Sequence, residues 1–357
     1  MSPRYCSSRR DFLKSSLVGG LAAFTGHRLA GQGVVAAPAP RGAPTRVALM
    51  YGEDRAAIAF NALKPLADDI RKAIGNRRVV IKPNNVATDV QLCATHAGCL
   101  EGILEFLKSI GKTDNIVIAE SAANGPTFEG FENYKYTTLA NRYRVKLVDL
   151  DQDAVEVVHV FDEKDFRPHG VRMSKLLLDP DSYVISAAKL KTHDRIVATL
   201  SLKNIVFGAP IKDAGFRWGK NRTPGAVNDK PIAHGSGFRA INYNLFDLAR
   251  RLGPDLAVID GYDGMQGNGP VGGTPVEHRV CIASTDWLAA DRLGVELMGI
   301  DFAKVGYLNY CWQGGLGEAD LRRIEVQGAR VADHIRPYKL STNIEKQLVW
   351  MQPPPLS

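Results

Sequence analysis

The chain has 357 residues, 45% of them hydrophobic and 23% charged, enough for one large globular domain or two smaller ones with an ample core. Its formal net charge of +7 points at first to a nucleic-acid or membrane-surface partner. Residues 1–36, however, hold Arg4, Arg9, Arg10, Lys14 and Arg28 against Asp11, and the +3 that remains shows no basic stripe with interleaved aromatics, which argues against nucleic acid.

The chain starts with a basic segment, a short apolar middle from Leu17 to Phe24 and small residues around Ala36 and Ala37. This is the layout of a secretory signal, with cleavage expected after Ala36. Ser8-Arg9-Arg10-Asp11-Phe12-Leu13-Lys14 resembles the twin-arginine export motif. The sequence therefore predicts a signal peptide over 1–36, a Pro/Ala linker over 37–45, the twin-arginine translocase as partner during export, and a periplasmic or otherwise exported mature protein. No apolar run is long enough to span a bilayer, so no transmembrane segment is expected. The resemblance to that motif implies export of an already folded chain, often with a cofactor inserted, and leaves the cofactor unknown.

Beyond the linker, strand-like and helix-like patterns alternate. RVALMYG (46–52) reads as a strand, and AIAFNALKPLADDIRKAIG (57–75) as a helix that Pro65 kinks or splits. RVVIKPNN (78–85) is a strand stopped by Pro83, followed by a helix over 98–111, the strand NIVIAES (115–121), a helix over 131–143 and the strand VKLVDL (145–150). This alternation predicts an α/β fold, a mostly parallel sheet with helices on both faces. VEVVHVF (155–161) and VRMSKLLLD (171–179) read as a small antiparallel β insertion, a candidate subdomain over 151–180. SYVISAAK (182–189), a helix over 237–252, DLAVIDG (255–261), VCIAS (280–284) and a helix over 287–300 complete the series. One α/β domain over 46–345 with a C-terminal tail over 346–357 is the economical division.

Of five cysteines, Cys6 lies in the signal; Cys93, Cys99, Cys281 and Cys311 have no C-x-x-C spacing and no ferredoxin-type run. An iron–sulfur cluster or structural zinc is disfavoured. Disulfides Cys93–Cys99 and Cys281–Cys311, or four buried thiols, stay open.

Ligands in open parallel sheets bind beyond the carboxyl ends of the strands, and here four apolar strands end in polar groups. Lys82, Asn84 and Asn85 follow RVVI, and Glu120 and Ser121 follow NIVIA. Lys189, Lys191 and His193 follow SYVISAA, and Asp260, Asp263 and the glycine-rich GMQGNGPVGG follow DLAVI. If the strand continues, Lys189, Lys191 and His193 point to one side; Lys203 and Asn204 come next on a predicted helix. Crowded ammonium groups keep their charge when an anion shares the site. Lys82, Lys189, Lys191 and Lys203, with Asn84, Asn204 and Glu120, are therefore candidates for holding a small anionic ligand. Acidic side chains as partners of the same lysines are the plainer alternative. His193 is the candidate general acid or base, because an ordinary imidazole titrates near neutrality; Lys191 and Asp260 are further catalytic candidates. His96 precedes a helix whose N–H groups favour an anion, although capping by Thr95 explains that position as well. Asp260 and Asp263 suit a divalent metal or acid–base work, and the glycines suit either close approach of backbone N–H groups or chain turning alone. Asp286 reads as an N-cap. The P-loop, Rossmann, serine-esterase and zinc-protease motifs are all missing.

IKPNNV, ATHAGCLEGILEFLKSIG, AESAANGPTFEGF, KLKTHDRIVATLSLKNIVFG, AVIDGYDGMQGNGPVGG and STDWLAADRLGVELMGID resemble, in order, the family called domain of unknown function 362. K-T-H followed by L-K-N-x-x-x-G is its most specific mark. The resemblance spans nearly all of the chain after the linker; it implies a bacterial or archaeal protein but no particular reaction. Some members carry ferredoxin-like modules, whose cysteine runs are missing here. Two readings follow: an exported enzyme acting on a small carboxylate or phosphate, or a non-catalytic periplasmic binding or accessory protein for a redox or cofactor-maturation pathway.

Overall fold

The computed structural model describes residues 44–218 and 223–352; the expected signal peptide, nearly all of the linker and the last residues of the tail lie outside them. The strands are β1 (Thr45–Tyr51), β2 (Arg78–Pro83), β3 (Ile116–Glu120), β4 (Lys146–Asp149), β5 (Val155–Asp162), β6 (Arg167–Ser174), β7 (Ser182–His193), β8 (Val197–Thr199), β9 (Leu256–Asn268), β10 (Gly272–Ser284) and β11 (Ile324–Gly328). The main sheet runs β11-β1-β10-β9-β7-β2-β3-β4, with β8 beside β7. Strands β9, β7, β2, β3 and β4 pair in parallel, as do β1 and β11, whereas β10 is antiparallel to both neighbours. A separate antiparallel pair is formed by β5 and β6. The fold is α/β, as the alternation of patterns predicts.

Side-chain alternation along β2 divides the apolar core. Val79 and Ile81 pack with helices Arg55–Leu63, Ala67–Ile74 and Ala97–Ser109, and Val80 packs on the other face with Ser201–Val206, Phe238–Leu252 and Trp287–Leu297. Crossovers from β2 to β3 use the first layer, and the return from β7 to β9 uses the second. The strand order therefore reverses between β2 and β7, the place where an open α/β sheet leaves a crevice at its carboxyl edge.

Several boundaries differ from expectation for local reasons. Pro65 opens a short 3-10 turn that splits the first helix into Arg55–Leu63 and Ala67–Ile74. Left-handed Lys135 breaks the expected helix over 131–143 into Thr127–Asn133 and Tyr136–Tyr143. The expected strand over 171–179 ends at Ser174; Lys175–Leu178 is one helical turn that buries both Leu176 and Leu177, which a strand would send to opposite faces. The glycine-rich run after Asp263 is not a loop. It continues β9 to Asn268 and turns back into β10, with Gly267 opposite Gly273 and Met265 opposite Pro275.

Candidate functional site

Beyond the carboxyl ends of β2, β3 and β7 lies a cavity of about 410 Å³, within the range of small-molecule pockets. Its wall includes Lys82, Asn84, Glu120, His193, Lys203 and Asn204. Lys189, Lys191, His96, Asp260 and Asp263 are not part of the wall.

The floor is a continuous polar network. Lys82 donates to Glu120 Oε1 at 2.7 Å, to the Pro83 carbonyl at 3.0 Å and to Asn204 Oδ1 at 3.2 Å. Asn84 Nδ2 donates to the same Asn204 oxygen at 3.0 Å, and Lys191 donates to Asn84 Oδ1 at 2.5 Å and to the Cys93 carbonyl at 2.9 Å. The three protons of the Lys82 ammonium are thus taken by protein acceptors, which corrects the expectation that it holds a ligand directly. Lys191 lies behind Asn84, and burial lowers it to about 8. Gly208, the last residue of the L-K-N-x-x-x-G run, is required by this packing: a Cβ there would collide with the end of the Lys82 side chain and with the Asn204 carbonyl.

Helix Ser201–Val206 carries Lys203 and Asn204. Buried Asp291 fixes its start, accepting from the Ser201 and Leu202 N–H groups at 2.7 and 3.1 Å and from the Ser201 hydroxyl at 2.5 Å. Asn204 is pinned to the Lys82 carbonyl and Ser186 Oγ. Lys203 is half-buried; among the described residues its one contact of this kind is the Phe207 ring, 5.5 Å away. Burial, then the charges of Lys191, Lys230 and Lys82, push it down to about 7 against the opposing pull of Asp194.

Sequence reasoning did not find Lys230, Arg195 and His234, which also line the cavity. Lys230 starts the short helix Lys230–Ala233 and donates to the Gly208 and Pro210 carbonyls at 3.2 and 2.5 Å. Burial holds it near 7 as well. Loop residues of this kind follow no hydrophobic period, and the Lys-Pro step is the one local hint, since it repeats Lys82-Pro83.

His193 reaches the cavity in a different state from the one expected. Burial, with Lys203, His234, Lys191 and Arg195 nearby, holds its imidazole well below the usual range, and it is neutral at neutral pH. Its Nδ1 accepts the Arg195 N–H at 3.0 Å, so the neutral ring carries its proton on Nε2. His234, lowered to about 3 mainly by burial, is neutral too. Among the described residues, two buried wall residues have polar atoms without hydrogen bonds: Glu120 at Oε2 and Asn85 at both ends of its amide, which packs against Gly130.

The remaining candidates form a second cluster on the opposite face of the sheet. β7 runs unbroken to His193, but β9 bulges opposite it between Asp260 and Met265, and of the three spaced cations only His193 is in the cavity wall. Lys189 meets Asp260 Oδ2 at 3.4 Å, Arg55 lies 3.5 Å from Asp260 Oδ1, and Asp263 is paired with the same guanidinium. Arg55 thus fills the position between the two carboxylates that a divalent metal would need, and the donor set does not fit that metal. Asp260 also accepts from the His96 and Tyr262 N–H groups, and its neighbours keep it ionised despite burial. His96 caps its helix itself, Nδ1 accepting the Gly98 N–H at 2.9 Å, while Thr95 bonds the Ala187 carbonyl. Cys99 contacts Cys281 rather than Cys93, so neither expected disulfide pairing matches; all four cysteines are buried free thiols.

Residues 79–296 match the family described as Domain of unknown function (DUF362). The chain belongs to that family. The match runs from β2 into helix Trp287–Leu297 and includes every residue named in the cavity wall. The chain is also 25% identical over 230 residues to a thylakoid-associated protein of Synechocystis, a segment covering 64% of this chain and 65% of that protein.

Proposed function

We propose that this is an exported member of the family whose cavity takes a small organic anion, a carboxylate or phosphate, and that it acts on that anion as an enzyme. The observation that supports this most is the charge imbalance of the wall. Glu120 is engaged by Lys82, and among the described residues Lys203 and Lys230 face the same space without an ion pair, although Asp194 in the wall pulls on Lys203 and Asp151 on Lys230. An anion would restore the full charge of both lysines, and a neutral His193 could donate from Nε2 to a ligand oxygen. Lys203, Lys230 and Arg195 would hold the anion, while the Lys191-Asn84-Asn204-Lys82 network keeps the floor in place.

A second reading, a binding or accessory protein without turnover, is favoured by the same His193, which carries no charge to give up in the unliganded cavity. The Synechocystis relative is named for a location, not for a reaction. Neither Asp260 nor Asp263 is assigned to chemistry in either reading.

A panel of phosphate, acetate, malate and citrate tested by thermal shift on the mature protein checks the reading. At least one should raise the melting temperature in the wild type and leave Lys203→Met unmoved. No shift with any of them would reject an anion site.

A further inference from the structure

We propose that Lys203 forms an imine with the carbonyl carbon of a small oxo acid held in the cavity. This rests on the anion-binding reading of the same site and adds a covalent step to it.

The lysines around the sheet edge differ in one respect. Lys82, Lys189, Lys191 and Lys230 each donate to oxygen acceptors. Among the described residues, Lys203 donates to none, yet it lines the open space and lies by the Phe207 ring. An amine tied to carbonyls is a structural donor; an untied amine beside an apolar ring and other cations is the arrangement that favours a nucleophilic lysine. Its lowered affinity for a proton leaves a large neutral fraction near pH 7. Its base is held rigidly, because Asp291 anchors the start of its helix and Asn204 anchors the next residue.

The rest of the wall matches the same ligand class. Lys230 and Arg195 offer charge to the carboxylate of an oxo acid. Glu120 Oε2, buried and unpartnered among the described residues, is the wall acceptor for a proton of the oxygen that departs. Neutral Lys203 attacks the carbonyl carbon, forming a C–N bond while the C=O electron pair moves to oxygen. That oxygen leaves as water, with one proton from the amine and one from solvent, and the nitrogen keeps one proton in the cationic imine. No oxidant or reductant is consumed. The cationic imine withdraws electrons from the neighbouring carbon, which suits decarboxylation, carbon–carbon cleavage or proton exchange there.

Reductive trapping tests the step. The mature protein is incubated with pyruvate, 2-oxoglutarate or phenylpyruvate and cyanoborohydride, then digested for mass spectrometry. One N-carboxyalkyl addition is expected on Lys203, roughly tenfold or more above any surface lysine, because a held carbonyl meets a positioned amine. Lys203→Arg keeps the charge and should abolish trapping while still binding lactate, which has no carbonyl to attack. In the wild type, lactate should protect Lys203 from trapping, a readout that does not depend on the variant folding. Modification spread evenly over surface lysines, or undiminished in Lys203→Arg, overturns the proposal. Lactate binding with no adduct overturns the imine and keeps the anion site; binding of neither lactate nor any oxo acid overturns both.

Discussion

The two polar clusters at the carboxyl edge of the sheet contain the same kinds of side chain and do opposite things with them. Around Asp260, the cations Lys189 and Arg55 share carboxylates that the protein supplies, and the backbone of His96 and Tyr262 takes up what remains of Asp260. Around the cavity, Lys203 and Lys230 are held near 7 and His193 and His234 lose their charge, because burial outweighs the pull of Asp194 on Lys203 and of Asp151 on Lys230 and neither lysine has an ion pair among the described residues. Burial of charge alone therefore does not mark a functional site. The difference lies in whether the counter-charge belongs to the chain or has to come from a ligand.

The largest effect should come from breaking the closed cluster. Asp260→Ala leaves Lys189 buried and unpaired and should cost about 3–5 kcal/mol in denaturant unfolding. A cost near zero would mean that the pairing is not structural. Lys203→Met should do the reverse: removing an uncompensated cation should leave unfolding stability within about 1 kcal/mol of the parent or raise it, while ligand-induced stabilisation disappears. A loss as large as that of Asp260→Ala would place Lys203 in the scaffold. The smallest effect is a slope with pH. Lys203 and Lys230 bind protons less tightly folded than unfolded, so between about 7 and the ordinary lysine range the unfolded chain carries more protons. Stability of the ligand-free protein should therefore rise with pH across that window and be flat for these groups below it. A saturating anion, by restoring the lysine charges, should flatten or reverse the rise. Melting temperatures between pH 7 and 9, with and without anion, would show no such rise from these lysines, and no difference on adding anion, if they titrate normally.

The fold was legible because its strands are short apolar runs bounded by Pro, Gly and polar residues, and its longer helices carry an apolar face. The hairpin arm through Gly264 and Gly267 was hidden, since residues without side chains give no alternation to read. Lys82, Asn84, Glu120 and His193 could be placed near one another from strand ends, and Lys203 and Asn204 from the helix that follows one of them. Which lysines had an internal partner could not be read, because Lys82 meets Glu120 from the neighbouring strand and Lys189 meets Asp260 directly across the β7–β9 ladder. Lys230 was missed for a simpler reason: it sits in a segment that follows no period, brought in only by chain folding between Gly208 and helix Phe238–Leu252.

The central claim is that Lys203 and Lys230 have no ion pair among the described residues strong enough to offset burial, and lysine side-chain NMR reads it directly. In isotopically labelled protein, the amines of Lys203 and Lys230 should titrate about 7, and both should move up when a saturating anion is added. Titration of both in the unperturbed lysine range, about 10.4, with no response to any anion, would contradict the account.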